Sequence, residues 1–371
     1  MTFDRSALPA MDVAARARRL RTGFDRAGCD ALLVTNLTNV RYLTGFSGSA
    51  ALLLVAPDGL VFVTDGRYRD QAADELAAAG VEADIRIGRT SEAQRDLLAK
   101  AAAGLARLGL EAEAVTWAQQ QRFDADWFEA AELVATAGLV EGLRELKDAG
   151  EIARIEAACA LADEALAAVR HRLGEGPTEA EVALDLEWEM RQRGADGPSF
   201  ETIVASGPNG AQPHHRAGDR RIAEGDLVVI DFGALVDGYH SDMTRTLSVG
   251  AIDGTQQRMF DVVRESQAAG VAAVRAGIEA QAVDEACRAV IREAGWDEAF
   301  LHGTGHGVGL DIHEPPRIST TATGSLVDGH IVTVEPGVYL PAHGGVRIED
   351  TVVVTPEGCR PLTRAPKVPA L

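Results

Sequence analysis

Residues 224–233 read EGDLVVIDFG, and residues 328–337 read DGHIVTVEPG. Each segment has an acidic residue, a glycine, a short apolar run, a carboxylate, one further residue and a second glycine. An apolar, β-branched run of this length, bounded by turn residues, predicts a buried strand. The terminal carboxylates are Asp231 and Glu335. A supersecondary unit written twice predicts two related halves facing each other across a pseudo-twofold axis, with these carboxylates converging.

The pattern extends outward from the repeat. Further strands are expected at 202–205, 227–230, 245–249, 331–334 and 349–354, with helices at 256–276 and 282–294. These make the second half of the chain an α+β domain. Ahead of it, 143–173 has helical spacing and ends at glycines and a proline. Thr178 then opens T-E-A-E, a capping box with Glu181 three residues on, for a helix reaching Arg193. The first part alternates differently. Strands are expected at 31–35, 50–56 and 60–64, and helices at 12–27, 69–79, 91–108 and 117–136, giving an α/β domain with a mixed sheet. The division is placed after residue 141, as domains 1–141 and 142–371. In T-D-G-R-Y, Asp65 and Arg67 read as a turn with a local charge pair.

Composition limits the function. The 371 residues carry 36 Lys and Arg against 56 Asp and Glu, a net charge of −20. Such a surface repels phosphate backbones and anionic lipid, so nucleic acid and membrane are not expected partners. Cys29, Cys159, Cys287 and Cys359 form no CxxC pair and read as core thiols of a reducing compartment. The N-terminal residues are arginine-rich without an apolar run, and no stretch of about 18 apolar residues occurs, so a cytoplasmic location is expected.

The chemistry gathers around carboxylates and histidines. Asp242 follows Asp231 by eleven residues, in YHSDMTRT just before a strand. Residues 301–315 read LHGTGHGVGLDIHEP and hold His302, His306 and His313 among alternating glycines, which let ligands approach the backbone. The glycines spell GxGxG with no Rossmann helix start after them, so nucleotide binding is not expected. Glu335 lies in TVEPGVYL and Glu349 in GVRIEDTVVV. A carboxylate in such apolar surroundings is costly unless paired or bound to metal. Asp231, Asp242, Glu335, Glu349 and His306 together offer hard oxygen donors, one imidazole and no thiolate. That set favours Mn²⁺, with Co²⁺, Fe²⁺ or Zn²⁺ as alternatives. Four carboxylates exceed the needs of one catalytic Zn²⁺ and suit two divalent ions roughly 3.5 Å apart, which acidify a bridging water and polarise a carbonyl.

The order D…D…H…E…E resembles the pita-bread metallopeptidases, a group that includes methionine aminopeptidase, aminopeptidase P and prolidase. S-G-P-N-G-A-Q-P-H-H, D-F-G-A-L-V-D-G-Y-H-S-D-M-T-R-T, H-G-T-G-H-G-V-G-L-D-I-H-E and V-E-P-G-V-Y…G-V-R-I-E-D resemble its Xaa-Pro branch. N-V-R-Y-L-T-G-F-S-G-S and T-D-G-R-Y resemble the creatinase-like domain of that branch. The resemblance spans nearly the whole chain. It implies an α/β creatinase-like N-terminal domain before an α+β pita-bread catalytic domain, and a homodimer.

It also implies roles. Asp231 would chelate the first metal, Asp242 and Glu349 would bridge both, and His306 and Glu335 would complete the second site. Glu335 would shuttle the proton. His214, in P-H-H, would contact substrate, with His215 auxiliary. His313 would hydrogen-bond the scissile carbonyl region. His302, Tyr339 and Arg347 match further active-site positions, with packing as the alternative reading of Tyr339. Arg317 reads as a solvated loop charge or as an anchor for a substrate carboxylate. The implied activity is hydrolysis of the bond between an N-terminal residue and proline in a peptide. The aminopeptidase reading comes first and the dipeptidase (prolidase) second. Metal-free creatinase chemistry and a non-enzymatic binding module are remote, because the five ligand types are intact.

Overall fold

A computed structural model describes residues 3–370 of the chain. Packing divides it into residues 11–144 and a second unit made of residues 3–10 with 145–370. The division therefore falls three residues after the one expected from sequence. Residues 3–10 belong with the second unit: Arg5 pairs with Asp196 at 2.7 Å, and Arg154 donates to the Pro9 carbonyl.

The first unit holds a six-stranded mixed sheet. Its order is Asp84–Ile87, Leu60–Thr64, Ala51–Val55, Ala31–Val34, Arg107–Glu111, Glu132–Thr136. The three expected strands are present. The helix expected over 12–27 is split into a 3-10 turn at Val13–Ala15 and helices Arg16–Arg21 and Phe24–Ala27, and two other expected helices are shorter. The helix expected over 91–108 ends at Ala101. Gly104 takes φ +90, and the chain re-enters the sheet as RLGLE. That strand lies in parallel between two others with Leu108, Gly109 and Leu110 buried, so its apolar run is a central strand rather than a helix face. The helix expected over 117–136 is confined to Trp117–Arg122, a π-turn follows over Phe123–Trp127, and Glu132–Thr136 forms the edge strand. The Arg67 guanidinium grips Asp65 at 2.8 Å, as T-D-G-R-Y suggested.

The second unit shows the repeat as architecture. Helices Ala149–Val169 and Glu179–Arg193 precede the antiparallel strands Leu227–Phe232 and Met243–Ser248. Helices Gly254–Ala273 and Ala280–Glu293 precede the antiparallel strands Ile331–Val334 and Asp350–Val354. Each helix pair covers its own sheet and makes its own core. Ile155, Ala158, Ala162, Ala165, Leu166 and Val169 recur at helical spacing on the buried face of the first helix. Ala158, Ala162, Ala165, Leu166 and Val169 share a core with Val228, Ile230 and Phe232. In the other half, Met259, Phe260 and Val263 pack toward Val332 and Val334. The capping box at Thr178 and Glu181 is formed. Asp237 and Gly238 both have positive φ, the geometry of a two-residue hairpin turn, between the paired residues Val236 and Tyr239.

The outcome is symmetrical at the site. Asp231 lies near the end of the first strand of one half and Glu335 just beyond the end of its counterpart. Asp242 and Glu349 each stand one residue before the returning strand. Two strand pairs thereby present four carboxylates from their open ends.

Candidate active site

Ligand oxygens of Asp231, Asp242 and Glu349 lie within 4.8 Å of one another. Asp242 and Glu349 are buried. Burial first, then the charges of Glu349, Asp231 and Glu335, push the Asp242 carboxyl far above the usual carboxylate range. Burial, then Glu335 and Asp231, do the same to Glu349. Burial and the nearby Asp231 raise Glu335 to about 8. Like charges brought this close out of water destabilise one another, and a cation between them reverses the effect.

Two further observations test whether these residues fit metal ions. The buried oxygens Asp231 Oδ1 and Glu349 Oε1 have no hydrogen-bond partner among the described residues. His306 supplies the second. Its Nδ1 lies 3.0 Å from the Gly307 carbonyl, which can only accept, so Nδ1 carries the proton. Burial pushes the ring's pKa down to about 3, so it is neutral. The bare Nε2 then faces Asp242 Oδ2 at 3.5 Å and Glu335 Oε1 at 3.4 Å. With both carboxylates ionised, three acceptors meet here, and a cation between them satisfies all three. The donor set fits.

The surroundings hold the carboxylates in register. Thr244 Oγ1 donates to Glu349 Oε2 at 2.8 Å and accepts from Arg347 Nε at 3.1 Å. The Thr244 carbonyl accepts from the Glu349 amide at 3.1 Å and ties the two halves together. Arg347 donates to Asp231 Oδ2 at 2.6 Å and to Tyr339 Oη at 2.7 Å. Tyr339 donates to His302 Nε2 at 2.8 Å, and His302 Nδ1 donates to the Gly303 carbonyl at 2.8 Å. This relay fixes the Arg347 guanidinium against Asp231. Tyr339 thus packs and hydrogen-bonds at once, with burial lifting its hydroxyl to about 12.

A cavity of about 350 Å³ opens beside the cluster. Its wall includes His214, His302, His306, His313, Arg317 and Glu335 on the polar side, and Phe200, Ile203, Pro213 and Ile312 on the apolar side. His313 stacks edge-on against His306 at 4.4 Å between ring centroids. Arg317 is exposed at the wall and has no ion pair among the described residues. Tyr339 and Glu349 stand behind this surface rather than on it.

The glycines of 303–309 serve a purpose other than the ligand access expected from sequence. A Cβ on Gly305 would lie 2.0 Å from the Thr333 carbonyl oxygen, and one on Gly307 would lie 2.2 Å from that of Pro315. Neighbouring strands press on both sides of His306, so only its own side chain has room.

Sequence reasoning did not identify the residues that hold this loop from behind. Asp284 Oδ1 accepts from the Thr304 amide and hydroxyl at 3.1 and 2.9 Å, and Asp284 pairs with Arg288 at 2.7 Å. Arg288 also donates to the Phe300 and His302 carbonyls. The Thr304 carbonyl accepts from the Glu335 amide at 2.8 Å. Lys147 and Glu314 form a buried ion pair at 2.6 Å directly after His313. An i, i+4 Asp–Arg pair on a helix and a lone Lys give no local signal, because their partners are distant in sequence.

Residues 153–356 match metallopeptidase family M24, and residues 16–146 match the Creatinase/Prolidase N-terminal domain. The chain belongs to metallopeptidase family M24. This M24 chain is 36% identical over 352 residues to the Xaa-Pro dipeptidase of Pyrococcus horikoshii, covering 94% of the chain and 97% of that protein. Among solved structures, it resembles the Xaa-Pro dipeptidase from Bacillus anthracis with a TM-score of 0.92 and 39% identity, covering 97% of this chain and all of that one. It resembles the X-Pro aminopeptidase from Thermotoga maritima with a TM-score of 0.87 and 34% identity, covering 96% of this chain and all of that one. The family membership makes the chain a metallopeptidase, and the pita-bread architecture that the family resemblance implied is the one these structures share. Among the described residues no helix is long and apolar enough to cross a membrane.

Proposed function

We propose that this M24 peptidase hydrolyses the bond between an N-terminal residue and a following proline, using two divalent ions held by Asp231, Asp242, His306, Glu335 and Glu349. The observation that carries the reading is the convergence of Asp231, Asp242 and Glu349 within 4.8 Å, with His306 Nε2 facing Asp242 and Glu335, and with oxygens of Asp231 and Glu349 that have no partner among the described residues. Mn²⁺ suits four carboxylates and one imidazole best. Ions bound there would supply Lewis-acid polarisation of the scissile carbonyl and a water acidified toward neutrality.

The chain's own residues do the rest. Arg347, locked by Tyr339 and His302, holds Asp231 in one orientation. Desolvation at the cavity wall, then the charge of Arg317, lower the His313 pKa and favour the neutral ring, which offers one donor to the carbonyl oxygen as charge develops there. Glu335 stands on the cavity wall and moves a proton toward the leaving nitrogen. His214 contacts the bound peptide. The small cavity admits a chain end rather than an internal stretch of a folded protein.

The Xaa-Pro aminopeptidase reading stands first. One observation favours the second reading, an Xaa-Pro dipeptidase: Arg317 has a free guanidinium at the cavity wall, suited to the carboxylate of a C-terminal proline. Both readings have support among the relatives, one an Xaa-Pro dipeptidase and one an X-Pro aminopeptidase. We propose further that the enzyme works as a homodimer in the cytoplasm. The four free cysteines and the exposed Leu184 and Trp188 on one helix support this.

The test is mass spectrometry of Ala-Pro and Ala-Pro-Ala after incubation with Mn²⁺, with an EDTA-treated control. Release of Ala and Pro-Ala from the tripeptide establishes the aminopeptidase. Cleavage of Ala-Pro alone establishes the dipeptidase. No cleavage of either refutes Xaa-Pro hydrolysis.

A further inference from the structure

The loop that carries His214 is held by a carboxylate outside the cavity. Glu179 is the first residue of the Glu179–Arg193 helix, directly after its cap Thr178, and is fully buried. Its two oxygens accept from the Ser206 amide and hydroxyl, both at 2.7 Å, and from Asn209 Nδ2 at 3.0 and 3.1 Å. They also accept from His215 Nε2 at 2.8 Å and the Gly218 amide at 3.3 Å. All these donors lie within residues 206–218. The carboxylate stays ionised: burial works against the charge, but the donated hydrogen bonds outweigh it and lower the pKa. A carboxylate accepts only, so the His215 Nε2 atom carries the proton and the ring is tied down.

The opposite side of the same loop has no freedom either. A Cβ on Gly345 would lie 1.9 Å from the Gly210 carbonyl oxygen, and one on Gly344 would lie 2.5 Å from that of Gly207. Arg347 Nη1 donates to the Pro213 carbonyl at 3.3 Å. The segment is gripped between Glu179 on one side and the Gly344–Arg347 strand on the other. Pro213 and His214 line the cavity, whereas Glu179 does not.

We propose that Glu179 and His215 are positioning residues: the buried Glu179 carboxylate, through His215, Ser206 and Asn209, sets where the His214 ring stands against the bound peptide. The adjacent histidines then have different tasks, one facing the substrate and one facing the scaffold. This rests on the proposed contact of His214 with the peptide. Glu179→Gln keeps the size but replaces one accepting oxygen by a donor that opposes its partners.

Two measurements test it. The first is a double-mutant cycle on kcat/KM with the Mn²⁺-loaded enzyme. Glu179→Gln should lower kcat/KM by about tenfold or more in the wild-type background and by less than about twofold in a His214→Ala background, because a residue acting through another is not additive with it. Full additivity overturns the proposal, as does loss of bound Mn²⁺ in Glu179→Gln. The partly exposed His215→Asn runs the same cycle should Glu179→Gln fold poorly. The second measurement is hydrogen exchange followed by mass spectrometry. Exchange should quicken by about tenfold or more over 206–218 and stay unchanged over 227–232. Unchanged exchange over 206–218, or an equal rise everywhere, overturns the proposal. Exchange is read without turnover, so it stands even if the peptides are not cut. The wild-type peptide assay alone decides the Xaa-Pro reading.

Discussion

Stripping the metal should make the protein's stability fall with rising pH above neutrality, and the size of the fall follows from the cluster. Without ions, Glu335 titrates at about 8 against 4.5 for an ordinary glutamate. Asp242 and Glu349 are raised as well. Each such group holds a proton in the native state that it loses on unfolding. Its stabilisation is fully present below the unfolded value and is lost as pH rises through the folded one. The buried histidines act in the opposite direction. His306 titrates at about 3 and His302 at about 4 instead of 6.5. Their contribution is complete above 6.5 and is lost as pH falls below it. Above 6.5 the carboxylates therefore act unopposed. Between 6.5 and 8, at about 1.4 kcal/mol per pH unit for each proton, Glu335 alone removes about 2 kcal/mol. Its side chain is only 17% exposed, so solvent screening is slight. At roughly 2–4 °C per kcal/mol, Tm should drop by about 4–8 °C, and the pH profile should peak near 6.5. The assay is thermal unfolding by fluorescence after exhaustive chelation, from pH 5.5 to 8.5, with and without Mn²⁺. Ions keep the carboxylates ionised, so saturating Mn²⁺ should raise Tm and flatten the upper limb; at a hundredfold excess over Kd the gain is about 2.7 kcal/mol. A metal-free Tm that stays level or climbs from 6.5 to 8.5 would refute the reasoning, because the carboxylates could not then share one buried site.

Three substitutions probe the shell around the cluster. Arg317→Ala should raise KM for Ala-Pro by about tenfold and leave Ala-Pro-Ala unchanged if the guanidinium meets a proline carboxylate; equal effects in steady-state kinetics would return Arg317 to the role of a loop charge. Lys147→Met should remove the buried 2.6 Å ion pair to Glu314 and cost about 3–5 kcal/mol, measured by urea unfolding; a loss below about 1 kcal/mol would mean that other contacts carry the Glu314 charge. Asp284→Ala should free the Thr304 amide and hydroxyl and remove the ion pair of Arg288. It should lower kcat by about tenfold or more and leave KM within about twofold, because Thr304 carries the backbone of Glu335; a change in KM alone would contradict that.

The sequence read best where a local pattern was sufficient. The repeat at 224–233 and 328–337 pointed to paired halves, because an apolar strand ending in a carboxylate is visible in ten residues. The capping box at Thr178 and the Asp65–Arg67 turn depend on neighbours within three residues, and both formed. The segments 91–108 and 117–136 misled for the opposite reason. RLGLE and ELVAT are short apolar runs that suit a helix or a strand equally, and only pairing in the sheet settled them, RLGLE between two strands and ELVAT at the edge. The glycines around His306 were legible as a feature but not in purpose, since the carbonyls of Thr333 and Pro315 that demand them belong to other strands.

Residue types and order alone pointed to the proposed donor set of Asp231, Asp242, His306, Glu335 and Glu349, to the acidic net charge, and to the two-halved plan. These are properties of composition and short-range periodicity. Tertiary structure alone decided that three carboxylates meet within 4.8 Å, that the His306 lone pair faces Asp242 and Glu335, and that Glu179, Asp284 and Lys147 brace the loops from behind. A carboxylate's charge is written in its residue type. Its partners depend on which strands and loops pack against it, and those contacts join positions tens to hundreds of residues apart.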